Sequence, residues 1–395
     1  MPNIDFKAEA EAMRDELVAR RRDFHRHPEL AFEEYRTAGI VAEELSKLGL
    51  EVQTGVGKTG VVGMLEGDRE GPTVLVRADM DALPIHELNE TDYISTASGK
   101  MHACGHDGHT TIALGVAKLF AKHRNHISGR IKFVFQPAEE VVGGAAAMVA
   151  DGVLENPHPD VSLGLHLWNG SPVGTLGVAD GPIMAGSSTF RIVITGRGGH
   201  AASPHRTADP LICAAHLITT LQTIVSRNVD PLEQAVVTVA YMRAGEAYNI
   251  IPQDVELRGT VRTFKTEVRD LVEQRMRELT ESLCKAMGCA AQFEISHNTK
   301  PVANNVEVSD RLRGVFRNYI NPDLMDINER TMGAEDVGLF MDDIPGMYFF
   351  LGSANSERGL DYAHHHPRFD FDEEALTLGV TLMSAAVAEY ILPRN

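Results

Sequence analysis

Short apolar runs carry most of the pattern along this chain. Residues 61–65, 73–76, 131–135, 161–165 and 347–351 are mostly apolar and rich in branched or aromatic side chains. Runs of this length predict strands buried on both faces. Helical patterns separate several of them, as at 110–123, and residues 5–48 read as helical with an interruption near Arg26-His27-Pro28. Buried strands alternating with helices predict an α/β domain whose mostly parallel sheet has flanking helices.

The rhythm changes in the middle of the chain. Phe190, Ile192 and Ile194 alternate with polar neighbours over 187–195, which predicts a half-exposed strand. Residues 209–227 read as a helix, 235–243 and 254–263 as strands, 266–287 as a charged amphipathic helix and 291–296 as a last short strand. The order β-α-β-β-α-β is that of a ferredoxin-like sandwich, and its polar strand faces predict helices on one side only. The expectation is an inserted α+β ferredoxin-like domain at 185–298, within an α/β domain built from 1–184 plus 299–395.

With 395 residues and 43% hydrophobic content, the chain can bury two cores. Its net charge of −18 argues against a nucleic-acid partner, because neutralising phosphate requires basic surface. Residues 1–22 are charged throughout, unlike a signal peptide, and no apolar run reads as long enough to cross a bilayer. Cys104, Cys213, Cys284 and Cys289 are too sparse for a disulfide framework, so a reducing cytoplasm without membrane association is the expectation. The last three cysteines read as core thiols.

Cys104 differs from them. It lies in Met101-His102-Ala103-Cys104-Gly105-His106-Asp107-Gly108-His109, where three imidazoles, a thiol and a carboxylate fall within nine residues. Other metal-competent side chains follow the expected strands: Asp79 after 73–76, Glu139-Glu140 after 131–135, and His166 after 161–165. Ligands of open α/β sheets bind beyond the carboxyl ends of the strands, so Asp79, Cys104, His106, Glu139, Glu140 and His166 can converge on one crevice. Ala363-His364-His365-His366-Pro367 is a further imidazole source, and spacing alone does not choose among its three histidines. A thiolate, neutral imidazoles and a carboxylate suit zinc, manganese, cobalt or nickel. A thiolate or a carboxylate can bridge two such ions, which sit roughly 3.5–4 Å apart in two-metal hydrolases and lower the pKa of water to about 7. Of two adjacent carboxylates, one can ligate while the other moves the proton, which is worth about 10²- to 10⁴-fold.

These residues stand in ordered motifs that run almost end to end. They include Arg-Arg-Asp-Phe-His-Arg-His-Pro-Glu-Leu at 21–30, Arg-Ala-Asp-Met-Asp-Ala-Leu-Pro at 77–84 and the histidine-rich stretch at 101–109. Gln-Pro-Ala-Glu-Glu at 136–140, Gly-Arg-Gly-Gly-His-Ala-Ala-Ser-Pro-His at 196–205 and Asn-Ile-Ile-Pro at 249–252 follow. Gly-Thr-Val-Arg-Thr-Phe at 259–264, Gly-Ala-Glu-Asp at 333–336 and His-His-Pro-Arg-Phe-Asp-Phe at 365–371 complete the set. In these motifs the chain resembles the aminoacylase/carboxypeptidase family of dinuclear metallohydrolases, in its hippurate hydrolase and indole-acetyl-amino-acid hydrolase branch.

The resemblance implies two divalent metal ions, with Cys104 bridging them and His106, Glu140, His166 and His365 completing their shells. It implies Glu139 as the general base. It also implies an inserted domain that mediates a homodimer or homotetramer, with His200 reaching the partner's active site to help stabilise the tetrahedral intermediate. Asn249 and Arg262 match positions expected to hold the substrate carboxylate or acyl part. Arg77 and Cys104 stand where other branches have a histidine and a bridging aspartate, which places the chain in this branch. Val141-Val142 and Val337 replace the usual glycines and an aromatic residue, and these departures bear on substrate choice more than on chemistry.

The activity so implied is metal-dependent hydrolysis of the amide of N-acyl-L-amino acids, with the acyl group left open. The alternatives are a peptidase or deacetylase of the same family, or a non-catalytic metal-binding protein. A zinc nucleobase deaminase is excluded, because the chain lacks His-x-Glu followed by Pro-Cys-x-x-Cys. Asp79 reads equally as a structural residue, pairing with Arg77 or capping a loop, or as a carboxylate orienting a ligand histidine, and Asp107 likewise reads as structural or orienting. His102, His109, His364 and His366 read as neighbours of ligands, and Glu335-Asp336 as the acidic first turn of a helix.

Overall fold

Strands that are apolar on both faces need cover on both sides, and this chain supplies it with helices. The computed structural model describes residues 4–392. They divide into two compact units, the second made of Pro182–Val302 and Thr331–Glu335 and the first of the remainder. The first unit begins with α1 (Phe6–Ala12), α2 (Arg14–Arg26), α3 (Tyr35–Lys47), β1 (Glu51–Val56), β2 (Gly60–Glu66) and β3 (Arg69–Asp79). It continues with α4 (His106–Lys122), β4 (Ser128–Gln136), α5 (Gly144–Ala150), β5 (Val161–Pro172) and the two-residue β6 (Leu176–Gly177). The second unit holds β7 (Gly186–Thr195), α6 (Pro210–Arg227), β8 (Ala235–Ala244), β9 (Asp254–Thr263), α7 (Thr266–Ala286) and β10 (Ala290–Thr299). The chain then returns to the first unit through α8 (Val306–Phe316), β11 (Met325–Asp326), β12 (Gly346–Ala354) and α9 (Glu374–Ile391).

The sheet of the first unit runs β1-β2-β4-β3-β5-β12-β6-β11. Its centre, β4-β3-β5-β12, is parallel. Val76 sits level with Phe133 on one side and Leu163 on the other, and Leu163 is level with Met347. All four are buried, so one apolar row crosses the parallel strands. The parallel arrangement directs the carboxyl ends of β3, β4 and β5 the same way, which is what a site at the strand ends requires.

Several expectations need correction. The segment 5–48 is three helices, broken at Met13 and again between Arg26 and Tyr35. The edge strand β1 was not anticipated because most of it is exposed and it lacks apolar alternation. Helix α4 begins at His106, four residues before the expected Thr110, because Gly105 takes the left-handed conformation (φ 92°) and turns the chain into it. Strand β5 continues through His166 to Pro172 instead of ending there. Finally, α9 is long and apolar enough to cross a membrane by length and composition, contrary to the sequence reading. It is nevertheless largely buried, with Leu376, Val380, Leu382 and Val387 in the first core, as befits the inner helix of a globular domain.

In the second unit the sheet order is β8-β9-β7-β10 with every pairing antiparallel, the ferredoxin-like arrangement. Phe190, Ile192 and Ile194 pack with Leu217 and Leu221 of α6 and with Val272 and Met276 of α7. The opposite face is polar: the Glu256 carboxylate accepts from Arg191 (2.5 Å) and Arg258 (2.8 Å). Cys213 and Cys284 meet in the core at 3.5 Å, and burial pushes the Cys213 thiol up to about 12.

A charged cluster around Arg21 is buried in the first unit. Arg21 of α2 is fully buried, donates to Asp107 (2.9 Å) and Asp370 (2.7 Å), and lies 4.2 Å from the ring centre of Phe371. His25 lies one turn further along, with Nδ1 2.8 Å from Asp107 and Nε2 3.1 Å from Glu87. Burial and the neighbouring Arg21 both oppose charging of His25, but the two carboxylates outweigh them and raise its pKa to about 9. Removing Arg21 leaves buried carboxylates uncompensated, so Arg21→Met is expected to destabilise the first unit by about 3–5 kcal/mol, read from urea unfolding. Because the folded pKa of His25 is raised, its stabilisation is complete below its ordinary 6.5 and is lost as pH rises through about 9. The difference in unfolding midpoint between the wild type and His25→Asn should therefore shrink over that window; a constant difference would contradict the assignment.

Candidate metal centre

The carboxyl ends of three parallel strands and the start of one helix bring the donors together. Helix α4 begins with His106 itself, so that ring is anchored on rigid backbone. Its Nδ1 lies 2.9 Å from the Asp81 carbonyl oxygen, and an N–H there donates to that oxygen. This fixes the tautomer and leaves the Nε2 lone pair facing the site. His166, on β5, is set the same way: Nδ1 lies 2.6 Å from the Leu167 carbonyl, and Nε2 lies 3.6 Å from Cys104 Sγ. Glu139 and Glu140 follow β4, and His365 comes from the loop between β12 and α9. His365 adopts a left-handed backbone (φ 65°), its N–H donates to the Ala103 carbonyl at 2.7 Å, and its Nε2 lies 3.3 Å from Glu140.

Two groups of donors share one atom. Cys104, His106 and His166 form the first, and Cys104, Glu140 and His365 the second, with the ligand atoms of each group within 4.8 Å of one another. Donors about 2.0–2.3 Å from a tetrahedral ion lie roughly 3.3–3.8 Å apart, so both groups fit first-row divalent ions. Two buried atoms support the same conclusion: His106 Nε2 and Glu140 Oε1 have no hydrogen-bond partner. A cation at each of the two groups would supply the partner that burial otherwise denies. Burial disfavours a charged His106, but Asp79, Asp81 and Glu140 outweigh it and hold its pKa up at about 10. A pocket that draws a proton so strongly draws a divalent cation in its place.

The supporting carboxylates divide their roles. Asp79 pairs with Arg77 through Oδ2 (2.7 Å) and with His109 Nδ1 through Oδ1 (2.6 Å), as the pairing reading expected; the same Oδ2 lies 3.6 Å from His106 Nε2, beyond hydrogen-bond reach, and it is the Asp81 carbonyl that orients that ring. His109 Nε2 accepts from the Leu167 N–H at 2.9 Å, which occupies both of its nitrogens and makes it a spacer between Asp79 and β5. Asp107 faces away from the donors: its carboxylate is taken by Arg21 and His25, so its contribution is to tie the first turn of α4 to α2. His364 accepts from the Asn169 N–H (3.1 Å) and stacks on Trp168, while His366 stacks on Tyr362.

Two carboxylates essential to this geometry escaped the sequence reading. Asp81 accepts from the N–H groups of Glu139 (3.1 Å) and Glu140 (3.0 Å), gripping the loop that presents both side chains. Asp336 opens a short 3-10 helix, Asp336–Phe340, as expected, and is also buried, where it accepts from Gln136 (2.6 Å) and the Ala145 N–H (3.1 Å). The repeated acid in Asp79-Met80-Asp81 was the available signal for the first; nothing local marks the second. The remaining expected residues lie in the second unit. His200 pairs with Ile250 across a two-residue ladder, its neighbour Ala201 donates to the Asn249 carbonyl (3.0 Å), and Arg262 sits on β9.

The chain is a member of Peptidase family M20/M25/M40. Residues 75–389 match that family's model. The chain is 38% identical over 377 residues to thermostable carboxypeptidase 2 of Saccharolobus solfataricus, covering 94% of this chain and 95% of that protein. It is 39% identical over 383 residues to the IAA-amino acid hydrolase ILR1-like 4 of Arabidopsis thaliana, covering 96% and 86%. The solved structure of the YXEP protein of Bacillus subtilis, described as a dinuclear metal-binding peptidase of the M20 family, superposes with a TM-score of 0.83 at 34% identity, over 95% of this chain and 98% of that one. This protein is thus a metal-dependent hydrolase of amide bonds with a mixed α/β fold.

The shared thiolate makes a specific prediction. Equilibrium dialysis against manganese, cobalt or zinc is expected to give two ions per chain for the wild type. Cys104→Ala should lose both, and His166→Ala or His365→Ala only one; retention of both ions by Cys104→Ala would exclude the shared arrangement.

Proposed function

We propose that this protein hydrolyses the amide of N-acyl-L-amino acids, releasing a carboxylic acid and an amino acid. The observation that carries the reading is the position of Glu139, next in sequence to Glu140 and grouped with His106 and Glu140, yet outside the two groups that share Cys104. In this reading Cys104, His106 and His166 would hold one ion, and Cys104, Glu140 and His365 the other. Ions held there would supply acidified water and polarisation of the scissile carbonyl. Glu139, largely buried and with Oε2 4.0 Å from His106 Nε2, takes a proton from the attacking water and delivers it to the departing nitrogen. Arg77 and His109 hold Asp79, and Asp81 holds the loop.

His200 of the partner subunit adds a donor for the developing oxyanion, and Asn249 and Arg262 hold the substrate carboxylate or acyl part. Exposed apolar side chains on the second unit, among them Leu232, Met242, Tyr248 and Ile250, support its use as the contact of a homodimer or homotetramer. The likeness to an enzyme named for an indole-acetyl conjugate supports the acyl-amino-acid substrate, whereas the likeness to a carboxypeptidase supports a peptidase. Manganese, zinc, cobalt and nickel all suit the donor set. Four cysteines without a disulfide agree with a reducing cytoplasm.

A panel of hippurate, indole-acetyl and N-acetyl amino acids, run beside dipeptides with a free amine, separates the two substrate classes. Faster turnover of the dipeptides would overturn the acyl-amino-acid reading. Glu139→Gln is expected to lower kcat by about 10²- to 10⁴-fold while both ions stay bound in dialysis. Undiminished turnover by that variant would remove Glu139 from the proton transfer.

A further inference from the structure

Glu34 is a fully buried carboxylate outside the metal-binding set, and its contacts lead to the loop that carries Glu139. It occupies the N-cap position of α3, where a side-chain oxygen ordinarily accepts from the first helical amides. Glu34 makes no such bond. One oxygen instead accepts from the N–H groups of Phe32 (2.9 Å) and Ala138 (2.9 Å), while the hydroxyl of Thr59, itself buried, donates to the other. Ala138 directly precedes Glu139 and has a left-handed backbone (φ 52°), which a residue with a Cβ adopts only when its surroundings impose it. The loop then closes tightly: the Val142 N–H donates to the Glu139 carbonyl, and the Gly144 N–H to that of Ala138. At Gly144 a Cβ would meet the Pro137 carbonyl oxygen at 1.5 Å, so the turn admits only glycine there. With Asp81 on the next two amides, two carboxylates grip three successive N–H groups, those of Ala138, Glu139 and Glu140.

We propose that Glu34 is a positioning residue for the hydrolysis, holding Ala138 in its unfavourable conformation so that the Glu139 carboxylate is aimed at the reacting atoms. The proposal rests on the reading of Glu139 as the general base. Asp81 holds the amides of both Glu139 and Glu140, but only Glu139 is joined directly to the Ala138 residue that Glu34 holds, so loss of Glu34 acts first on proton transfer and spares ion binding. Misplacement of a reacting group by about 1 Å can cost 10²-fold in rate, which sets the expected size.

The experiment is a double-mutant cycle on the metal-loaded enzyme, with kcat, KM and bound ions measured for each variant. Glu34→Leu is expected to lower kcat by about 10²-fold, with KM and the ion count near wild type. Glu34→Gln should restore most of the rate, because its amide oxygen still accepts from both backbone N–H groups. In the Glu139→Gln background, Glu34→Leu should cost nothing further, since both changes remove the same step. The proposal is overturned if Glu34→Leu leaves kcat of the folded enzyme unchanged, if it lowers kcat by the same factor in both backgrounds, or if its loss follows loss of ions. Should Glu34→Leu not fold, Thr59→Val takes its place in the cycle: a smaller loss of kcat, absent in the Glu139→Gln background, supports the proposal, and an unchanged kcat overturns it. Full turnover by Glu139→Gln alone overturns the base reading instead, and that single variant reads it without reference to Glu34.

Discussion

Four carboxylates surround one imidazole. Asp79, Asp81, Glu139 and Glu140 each bring an oxygen within 3.3–4.0 Å of a His106 ring nitrogen, at a place where all five residues are buried or nearly so. Like charges so close in a medium of low dielectric repel strongly, and the rest of the first unit is arranged to compensate them. Arg77 and His109 neutralise Asp79, backbone N–H groups satisfy Asp81, and a divalent ion at Cys104, Glu140 and His365 would offset Glu140. Proton affinity at His106 and metal affinity in its place have the same electrostatic origin.

This arrangement requires exact backbone placement, and the fold provides it twice over. Parallel strands deliver Asp79 and the Glu139-Glu140 loop to the same edge, and α4 starts at His106 with no intervening slack. Beneath it, Arg21, His25 and Asp107 bind the first turn of α4 to α2 with buried charge pairs. Such pairs contribute little net stability when formed but cost much when broken, so they favour one register of α4 over its neighbours. The metal-binding chemistry thus rests on a second buried electrostatic cluster that touches no ligand atom.

Much of the fold was legible because its signals are local. Period-two alternation in Phe190, Ile192 and Ile194 marked the ferredoxin-like sheet, and unbroken apolar runs marked β2 to β5 and β12. Exposed β1 carried no such signal, and α9 was overlooked because an inner helix is apolar nearly all round and shows little periodicity. Around the metal centre, the donor types at Cys104, His106, Glu140, His166 and His365 were legible through motifs. Glu34, Asp81 and Asp336 were not, since each acts by accepting from backbone amides distant in sequence.

The sequence by itself determined which chemical groups were on offer: one thiol among imidazoles, paired acids after strands, and a chain patterned for two domains. Only the tertiary structure decided how each group is used. It places His365 Nε2 3.3 Å from Glu140 while His364 stacks on Trp168 and His366 on Tyr362, and it ties Asp107 to Arg21. It also converted Glu34 from a helix cap into a loop clamp. The physical reason is that side-chain type and periodicity are local properties of the chain, whereas ligation, tautomer and charge compensation depend on through-space distances of a few ångströms between residues up to hundreds of positions apart.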